Sequence, residues 1–423
     1  MMDAVRERSW ETTVFRGAVG VCLLHALDDA FLNRQPGVGL GQHAVGAALS
    51  LVLGVGAIAA FPRLRPGFRA AVAIGLGVLA LVNGALHVRH VSLDGPAASD
   101  FTGVLAAIAG AVLVALGLAI PFRHRGEGAA TRRRRWAYRV LAVAAGLVLA
   151  YVLVFPVSVA VVVTHKYREP IGDPPAAEYV PVSFESSDGL ELAGWYRPSE
   201  NRAAVVVVHG GGGDRTGAVA HAELLASHGY GVLVYDSRGR GESDGSPVAF
   251  GWGWSKDVAG ALAFLREQPD VDPLRLGGVG LSTGADVLIE VAAEQRALRA
   301  VVADGATGES FADYRNLDGL DEAAPFYLTL YTAARVFSGA SPARPLKSLV
   351  AEVSPTPLLL VATGGSVPAE LDFNRMYAEA AREPFEYWEL PDVDHTAAIR
   401  ERPAEYERRV VGFLDDALLR ARS

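Results

Sequence analysis

Five successive stretches, at about residues 14–33, 40–61, 68–91, 101–122 and 137–163, are apolar almost throughout. Each is close to or above the roughly 20 residues that a helix needs to cross about 30 Å of hydrocarbon. A single apolar run of this length can be a buried helix of a soluble core. Five in series, separated by short breaks rich in Arg or in Gly and Pro, read as an all-α transmembrane bundle occupying residues 1–163. The first run is not a cleavable signal peptide, because it carries His25, Asp28 and Asp29 and leads into further spans instead of a small-residue cleavage site.

Orientation follows from Lys and Arg in short loops. Arg63, Arg65 and Arg69 lie between spans two and three, and Arg123, Arg125, Arg132, Arg133, Arg134 and Arg135 lie between spans four and five. The alternate breaks hold only Arg34 and Arg89. With the Arg-rich loops and the N-terminal Arg6 and Arg8 in the cytoplasm, an odd number of spans places everything after Val163 on the extracytoplasmic side. The partners expected of this region are the lipid bilayer and no nucleic acid. The overall charge of −8 averages Arg-rich membrane loops with a more acidic later region, so it names no polyanionic or polycationic partner. The single cysteine, Cys22, excludes an intrachain disulfide.

The same topology gathers His25, Asp28, Asp29, His43, His87, His90, Asp94 and Asp100 at the outer end of the bundle. Imidazoles and carboxylates at helical spacing, such as His25 with Asp29 and His87 with His90, are a ligand set for a zinc-type metal. A hydrated polar rim accounts for the same residues without any metal, since ionisable groups near the membrane interface are inexpensive.

Beyond residue 163 the pattern changes. Residues 164–177 contain Pro170, Pro174 and Pro175 and read as an extended tether. From 178 onward, short apolar strands at 180–184, 190–196, 204–208, 232–235, 274–279, 300–303, 357–362 and 385–390 alternate with helical segments at 218–228 and 253–267, from 283, near 373–382 and from 403. That alternation implies a mostly parallel sheet covered by helices on both faces, with its active site beyond the carboxyl ends of the strands.

Three motifs stand at such strand ends. Gly280-Leu281-Ser282-Thr283-Gly284 lies between a strand and a helix, where a sharp turn lifts the serine clear of the sheet. In a chain with 46 glycines the pattern is specific only through that context. His209-Gly210-Gly211-Gly212-Gly213-Asp214 follows the strand at 204–208, and its backbone can approach a developing oxyanion. Gly211 and Thr283 are the expected N–H donors. Asp236-Ser237-Arg238-Gly239-Arg240-Gly241-Glu242-Ser243 follows the next strand and is assigned to bracing the loop.

Together with Phe184-Glu185-Ser186-Ser187-Asp188-Gly189-Leu190 and the late Asp394-His395, these motifs resemble the α/β-hydrolase superfamily, near its dienelactone-hydrolase-like and prolyl-oligopeptidase-like esterases. The resemblance covers about 178–420 and none of the membrane region. It implies an α/β-hydrolase fold and a serine esterase, thioesterase or peptidase mechanism, with nucleophile, acid and histidine in that chain order.

His395, after the last strand and before the last helix, fits the general base. His221 and His228 lack a nucleophile motif nearby, and His209 belongs to the glycine loop. The acid departs from the family pattern: Thr363-Gly364-Gly365-Ser366-Val367-Pro368-Ala369 offers no carboxylate before Glu370 and Asp372. Glu370 is the first choice, Asp372 the second, and Asp304, ending the sixth strand, the third. Residues 306–355, with Phe311, Tyr314, Phe326, Tyr327, Tyr331 and Phe337, form a cap insertion within a catalytic domain spanning 178–423.

The expectation is a membrane-anchored serine hydrolase that opens a small acyl-containing substrate without any cofactor. A peptidase or acyltransferase would use the same residues. A transport or sensing protein with a degenerate hydrolase domain, or metal chemistry at the outer histidines, are the rivals from other classes.

Overall fold

The computed structural model describes residues 2–33, 38, 39, 41, 43–95, 97, 100–123, 140, 144, 146–165, 168, 171–317, 321–367 and 369–420. Arg34, Arg125, Arg132, Arg133, Arg134, Arg135 and Pro170, used above for orientation and for the tether, lie outside them, as do the side chains of Arg6, Arg8 and Asp94. The chain divides into two units. One comprises 1–34, 38–167 and 323–339, and the other 35–37, 168–322 and 340–423.

The first unit is helical. Its long helices are α1 (Met2–Leu27), α2 (Ala44–Ala60), α3 (Pro66–Asp94) and α4 (Asp100–Arg123). A further helical stretch ends in Phe155–Thr164. Among the described residues, four segments are long and apolar enough to cross a membrane: Ala44–Arg63, Pro66–Ser92, Asp100–Pro121 and Gly146–Thr164. The first of the five expected spans is not among them, because Glu11, Arg16 and His25 dilute the apolar run of α1. Its packing nevertheless follows α4 along its length. Trp10 lies 4.6 Å under the guanidinium of Arg123 at one end, and His25 Nδ1 is 3.1 Å from Thr102 Oγ1 at the other. The 15 residues between them rise about 22 Å, most of a hydrocarbon core.

Contacts at the two ends fix the helix directions within this unit. Glu11 of α1 and Arg69 of α3 form a buried ion pair of 2.9 Å at the arginine end. His25 and His87 of the same two helices stack edge to face, 4.8 Å between centroids, at the histidine end. Thus α1 and α3 are parallel and α4 runs against them. Between helices the approach is set by small residues: a Cβ at Gly77 would come 2.7 Å from the carbonyl of Gly110, and one at Gly84 2.5 Å from Ala107 Cβ. Small-residue seams of this kind are how membrane helices associate, since burial of apolar surface supplies no drive inside lipid.

Residues 323–339, expected within a cap, belong to this unit. The helix Ala324–Ser338 packs along the Gly146–Thr164 stretch, with Phe326 5.6 Å from Tyr151 and 5.5 Å from Phe155 between ring centroids. Its end is held by His43, whose Nδ1 lies 2.9 Å from the carbonyl of Phe337.

The second unit is built on an eight-stranded sheet in the order β1-β2-β4-β3-β5-β6-β7-β8. The strands are β1 (Val180–Glu185), β2 (Glu191–Arg197), β3 (Ala204–Val208), β4 (Gly231–Tyr235), β5 (Leu276–Leu281), β6 (Ala300–Asp304), β7 (Leu358–Thr363) and β8 (Phe385–Leu390). The β1–β2 and β2–β4 pairs are antiparallel and the other pairs parallel. Strands β3 to β7 are buried along their whole length, as strands covered on both faces must be. Alternate residues feed opposite cores: Val206, Val208 and Leu360 join one with the helices Trp254–Arg266 and Thr283–Glu294, while Val205, Val207 and Val361 join the other with Pro403–Leu418. This is the mostly parallel, doubly covered sheet expected from the strand–helix alternation, and the α/β-hydrolase fold that the motif resemblance implies.

Candidate active site

Ser282 stands between β5 and the helix Thr283–Glu294 with φ 55° and ψ −121°. A non-glycine residue in that region is strained, and the strain is sustained by neighbours that fix the turn. The Ser282 N–H donates to the carbonyl of Asp304 at 2.8 Å. Both glycines of the elbow are required by contact: a Cβ at Gly280 would lie 2.3 Å from the carbonyl oxygen of Gly284, and one at Gly284 2.3 Å from that of Val208.

The glycine loop after β3 packs onto the same turn. The Cβ position of Gly210 is 3.4 Å from Ser282 Cβ, and that of Gly211 is 2.6 Å from Thr283 Oγ1 and 2.0 Å from the carbonyl oxygen of Ala249. Only glycine at 211 allows the loop to run this close to Ala249 and Thr283, and so to pack against the turn that carries the serine. His209 is spent on holding the loop, since its Nε2 accepts from the Ser237 N–H at 3.0 Å and its Nδ1 donates to the carbonyl of Gly210 at 2.8 Å.

His395 arrives from the loop after β8, with its backbone N–H on Ser366 Oγ at 3.1 Å. Its ring lies against Gly305, where a Cβ would sit 2.9 Å from His395 Cε1. Gly305 directly follows Asp304, whose carbonyl holds Ser282, so the end of β6 is the common floor for serine and histidine. His395 Nδ1 bonds Glu370 Oε2 at 2.6 Å. Glu370 is 1% exposed. Its other oxygen, Oε1, accepts from the backbone N–H and the hydroxyl of Thr363 at 2.7 and 2.8 Å. A carboxylate so held is fixed as an acceptor facing one imidazole nitrogen, which sets the proton on Nδ1 and the lone pair on Nε2.

Asp372 is a different matter. The helix begins at Glu370, three residues before the expected start near 373, and at about 100° per residue Asp372 points to the opposite side. There its carboxylate is exposed and pairs with Arg375 at 3.6 Å. Asp304 is fully buried and takes the hydroxyl of Tyr406 at 3.0 Å. Burial in the apolar core pushes its carboxyl up to about 7, and the negative charge of Glu370 adds to the push. His221 is 4.0 Å from Asp304, buried, and its pKa falls to about 4 through burial. His228 pairs with Glu407 on the surface.

The loop after β4 is a brace, as its residue types suggest. Asp236 accepts from the backbone and guanidinium of Arg215, both at 2.8 Å, and from the Glu242 N–H at 2.9 Å. Arg238 bonds Asp257 at 2.7 and 2.9 Å and both oxygens of Asp188 at 2.8 and 3.1 Å. Removing one partner of a buried pair strands the other charge at a cost of about 3–5 kcal/mol. Asp236→Ala is therefore expected to lower the thermal midpoint of the purified protein steeply, whereas Asp188→Ala, half-exposed, shifts it little.

Sequence reasoning passed over Thr363 and Ser366, which orient Glu370 and His395, and the buried pair Asp286 and Glu309. Asp286 accepts from the Thr307 N–H at 2.8 Å, and Glu309 Oε1 would lie 3.0 Å from a Cβ at Gly251. Burial raises both carboxyls well above the usual range; the charges of Asp313 and Glu370 raise Asp286 further, and the charge of Asp286 raises Glu309. The available signal was position: Asp286 is one helical turn past Ser282, on the face that a parallel sheet must cover.

At the histidine end of the first unit, three of the five expected ligand residues converge. Ligand atoms of His25, Asp29 and His87 lie within 4.8 Å of one another. His90 does not join them directly and bonds Asp100 Oδ2 at 2.9 Å. His43 is held by the Phe337 carbonyl instead.

The family described as X-Pro dipeptidyl-peptidase (S15 family) matches residues 177–387. The protein YfhR of Salmonella typhi is 30% identical over 266 residues, covering 58% of this chain and 84% of its own length. Rv2307c of Mycobacterium tuberculosis is 31% identical over 228 residues, covering 51% and 71%. Among solved structures, the Pyrococcus furiosus esterase Pf2001 aligns with 60% of this chain and 98% of its own at 22% identity, with a TM-score of 0.48.

Proposed function

This chain belongs to the α/β-hydrolase superfamily, and from that premise we propose that it is a membrane-anchored serine hydrolase cleaving an ester or related acyl bond. The observation that carries the reading is the 2.6 Å bond from His395 to the buried Glu370, beside a serine held in a strained elbow. Ser282 Oγ attacks the acyl carbonyl as His395 Nε2 takes its proton. Glu370 holds the imidazole in the tautomer this requires and stabilises the imidazolium that forms. The backbone N–H groups of Gly211 and Thr283 take up the charge on the carbonyl oxygen. His395 then returns the proton to the leaving group, and water, activated by the same histidine, releases the acyl group from Ser282.

Fluorophosphonate labelling of the full-length protein in membranes tests this. The wild type is expected to be labelled, and a wild type that resists the probe at millimolar concentration would reduce the domain to a binding module. A peptidase reading has its own support in the S15 match over 177–387. Parallel assays on p-nitrophenyl acyl esters and X-Pro p-nitroanilides separate the two by product.

Asp304 is assigned to structure. Asp304→Asn is expected to leave kcat within about threefold of wild type, where loss of a triad acid costs about 10⁴. The same variant has a stability signature. The folded pKa of Asp304, about 7, lies above the ordinary aspartate value of 3.8 that holds in the unfolded chain, so its contribution is fully present below pH 4 and is lost as pH rises through 7. Melting midpoints measured from pH 4 to 8 should therefore fall less steeply in the variant.

The proposal places the catalytic unit outside the cytoplasmic membrane. Arg63, Arg65, Arg69 and Arg123 cluster with Glu11 and Trp10 at one end of the helical unit, and the positive-inside rule puts that end in the cytoplasm. Trypsin added outside sealed right-side-out vesicles should then cut within residues 168–322, and protection of that region would reverse the assignment.

A further inference from the structure

Inside the helical unit, hydrogen bonds arrange two imidazoles as metal ligands are arranged. His87 is 4% exposed, and its Nδ1 lies 3.2 Å from Asp100 Oδ1. His25 is 2% exposed, and its Nδ1 lies 3.1 Å from Thr102 Oγ1. The Thr102 hydroxyl donates in turn to Asp28 Oδ2 at 2.5 Å, so Thr102 receives the proton of His25 Nδ1. Each ring is thus tied at Nδ1 to a carboxylate, directly or through a hydroxyl, and presents Nε2 as the basic nitrogen. That outer shell accompanies metal-bound histidines because it fixes tautomer and ring plane and raises ligand basicity.

The tautomer of His25 has independent support. The Asn83 amide nitrogen, which can only donate, sits 2.8 Å from His25 Nε2, so this nitrogen carries the lone pair. Asn83 Oδ1 is buried with no donor against it among the described residues. Of the two neighbouring carboxylates, Asp28 is occupied by Thr102 and by Asn33 Nδ2 at 2.8 Å. Asp29 Oδ2 is the one that faces His25 Nε2, at 3.7 Å. Gly103 makes the arrangement possible, since a Cβ there would fall 2.1 Å from His87 Cγ.

We propose that His25, Asp29 and His87 bind a divalent cation of the zinc class through two Nε2 atoms and one carboxylate oxygen. Three protein ligands leave a coordination position open for water. The ligand atoms, now within 4.8 Å, need to close to roughly 3.3 Å for metal bonds of about 2.0–2.1 Å. Closure takes rotation of the side chains at the end of α1 and in the π-helical turn Asp28–Leu32 after it, and His25 Nε2 exchanges the Asn83 N–H for the metal.

The test uses the full-length protein in detergent, purified through a tag without histidine, stripped with EDTA and equilibrated with micromolar zinc. About one zinc per chain is expected by mass spectrometry, together with a rise in melting temperature. His25→Gln, His87→Gln and Asp29→Asn should each lower the affinity at least tenfold. Asp100→Asn, which touches only the outer shell, should lower it about 10–100-fold. Ser282→Ala should bind zinc like the wild type, separating this site from the hydrolase reading. Zinc below about 0.1 per chain in the wild type, or undiminished binding in both histidine variants, would leave the cluster as a hydrogen-bonded polar rim and end the proposal. Circular dichroism of each variant guards against loss of fold.

Discussion

Ser282→Ala and His395→Ala are each expected to lower kcat on an activated acyl ester by about 10⁶, and the double variant by no more than either alone. The expectation rests on the two residues acting as one unit. Without the imidazole the Ser282 hydroxyl has no base to take its proton, and without the hydroxyl the imidazole has no nucleophile to activate. Residual turnover over water should persist in both, because the backbone of Gly211 and Thr283 is untouched and continues to favour the tetrahedral geometry. The elbow should also survive Ser282→Ala. Its strain at φ 55° is imposed by Gly280, Gly284 and the bond from residue 282 N–H to Asp304, none of which needs the hydroxyl. A fall of less than about 10²-fold in steady-state rate, with the protein still folded, would move the nucleophile elsewhere.

The second large effect belongs to Glu370. Glu370→Gln keeps shape and both hydrogen bonds available from Thr363, yet can present an N–H to His395 Nδ1 and so reverse the tautomer. A loss in kcat of about 10⁴ is expected, with KM nearly unchanged, since the substrate does not contact this carboxylate. Glu370→Asp should also fail, by a smaller factor, because an acid one methylene shorter cannot hold both Thr363 and His395. Asp372→Asn should change neither constant measurably, its carboxylate being exposed on the far side of the helix. Equal losses from Glu370→Gln and Asp372→Asn would show that the helix as a whole, and not one carboxylate, supports the histidine.

These two residues also show where sequence stops being informative. The strand pattern was legible because buried parallel strands must be apolar on both faces, and runs such as 204–208 and 358–363 have no other reading. The elbow and the glycine loop were legible because close approach admits only glycine. Choosing Glu370 over Asp372 depended on the phase of a helix whose first turn follows Ala369, at φ 67°. No residue type near 370 announces that phase, and a shift of two positions exchanges buried for exposed. The outer histidines were likewise visible as a set. Which three converge is decided by Thr102, Asp100 and Gly103, ordinary residues whose placement is a tertiary fact. The helix at 324–338 was the hardest to place, since its aromatics suit a lid, a core or a membrane helix equally well.

That helix carries a consequence for how the chain is made. The bundle's own complement of helices includes one that the ribosome produces about 150 residues after the last apolar segment has emerged. In the membrane-anchored reading proposed above, at about 5–20 residues per second, the inserted helices wait roughly 10–30 s for their missing neighbour. During that interval Tyr151, Phe155 and the backbone around Gly46 would have only lipid or a chaperone to face, so on that reading assembly of the bundle is paced by translation of the region that comes after it.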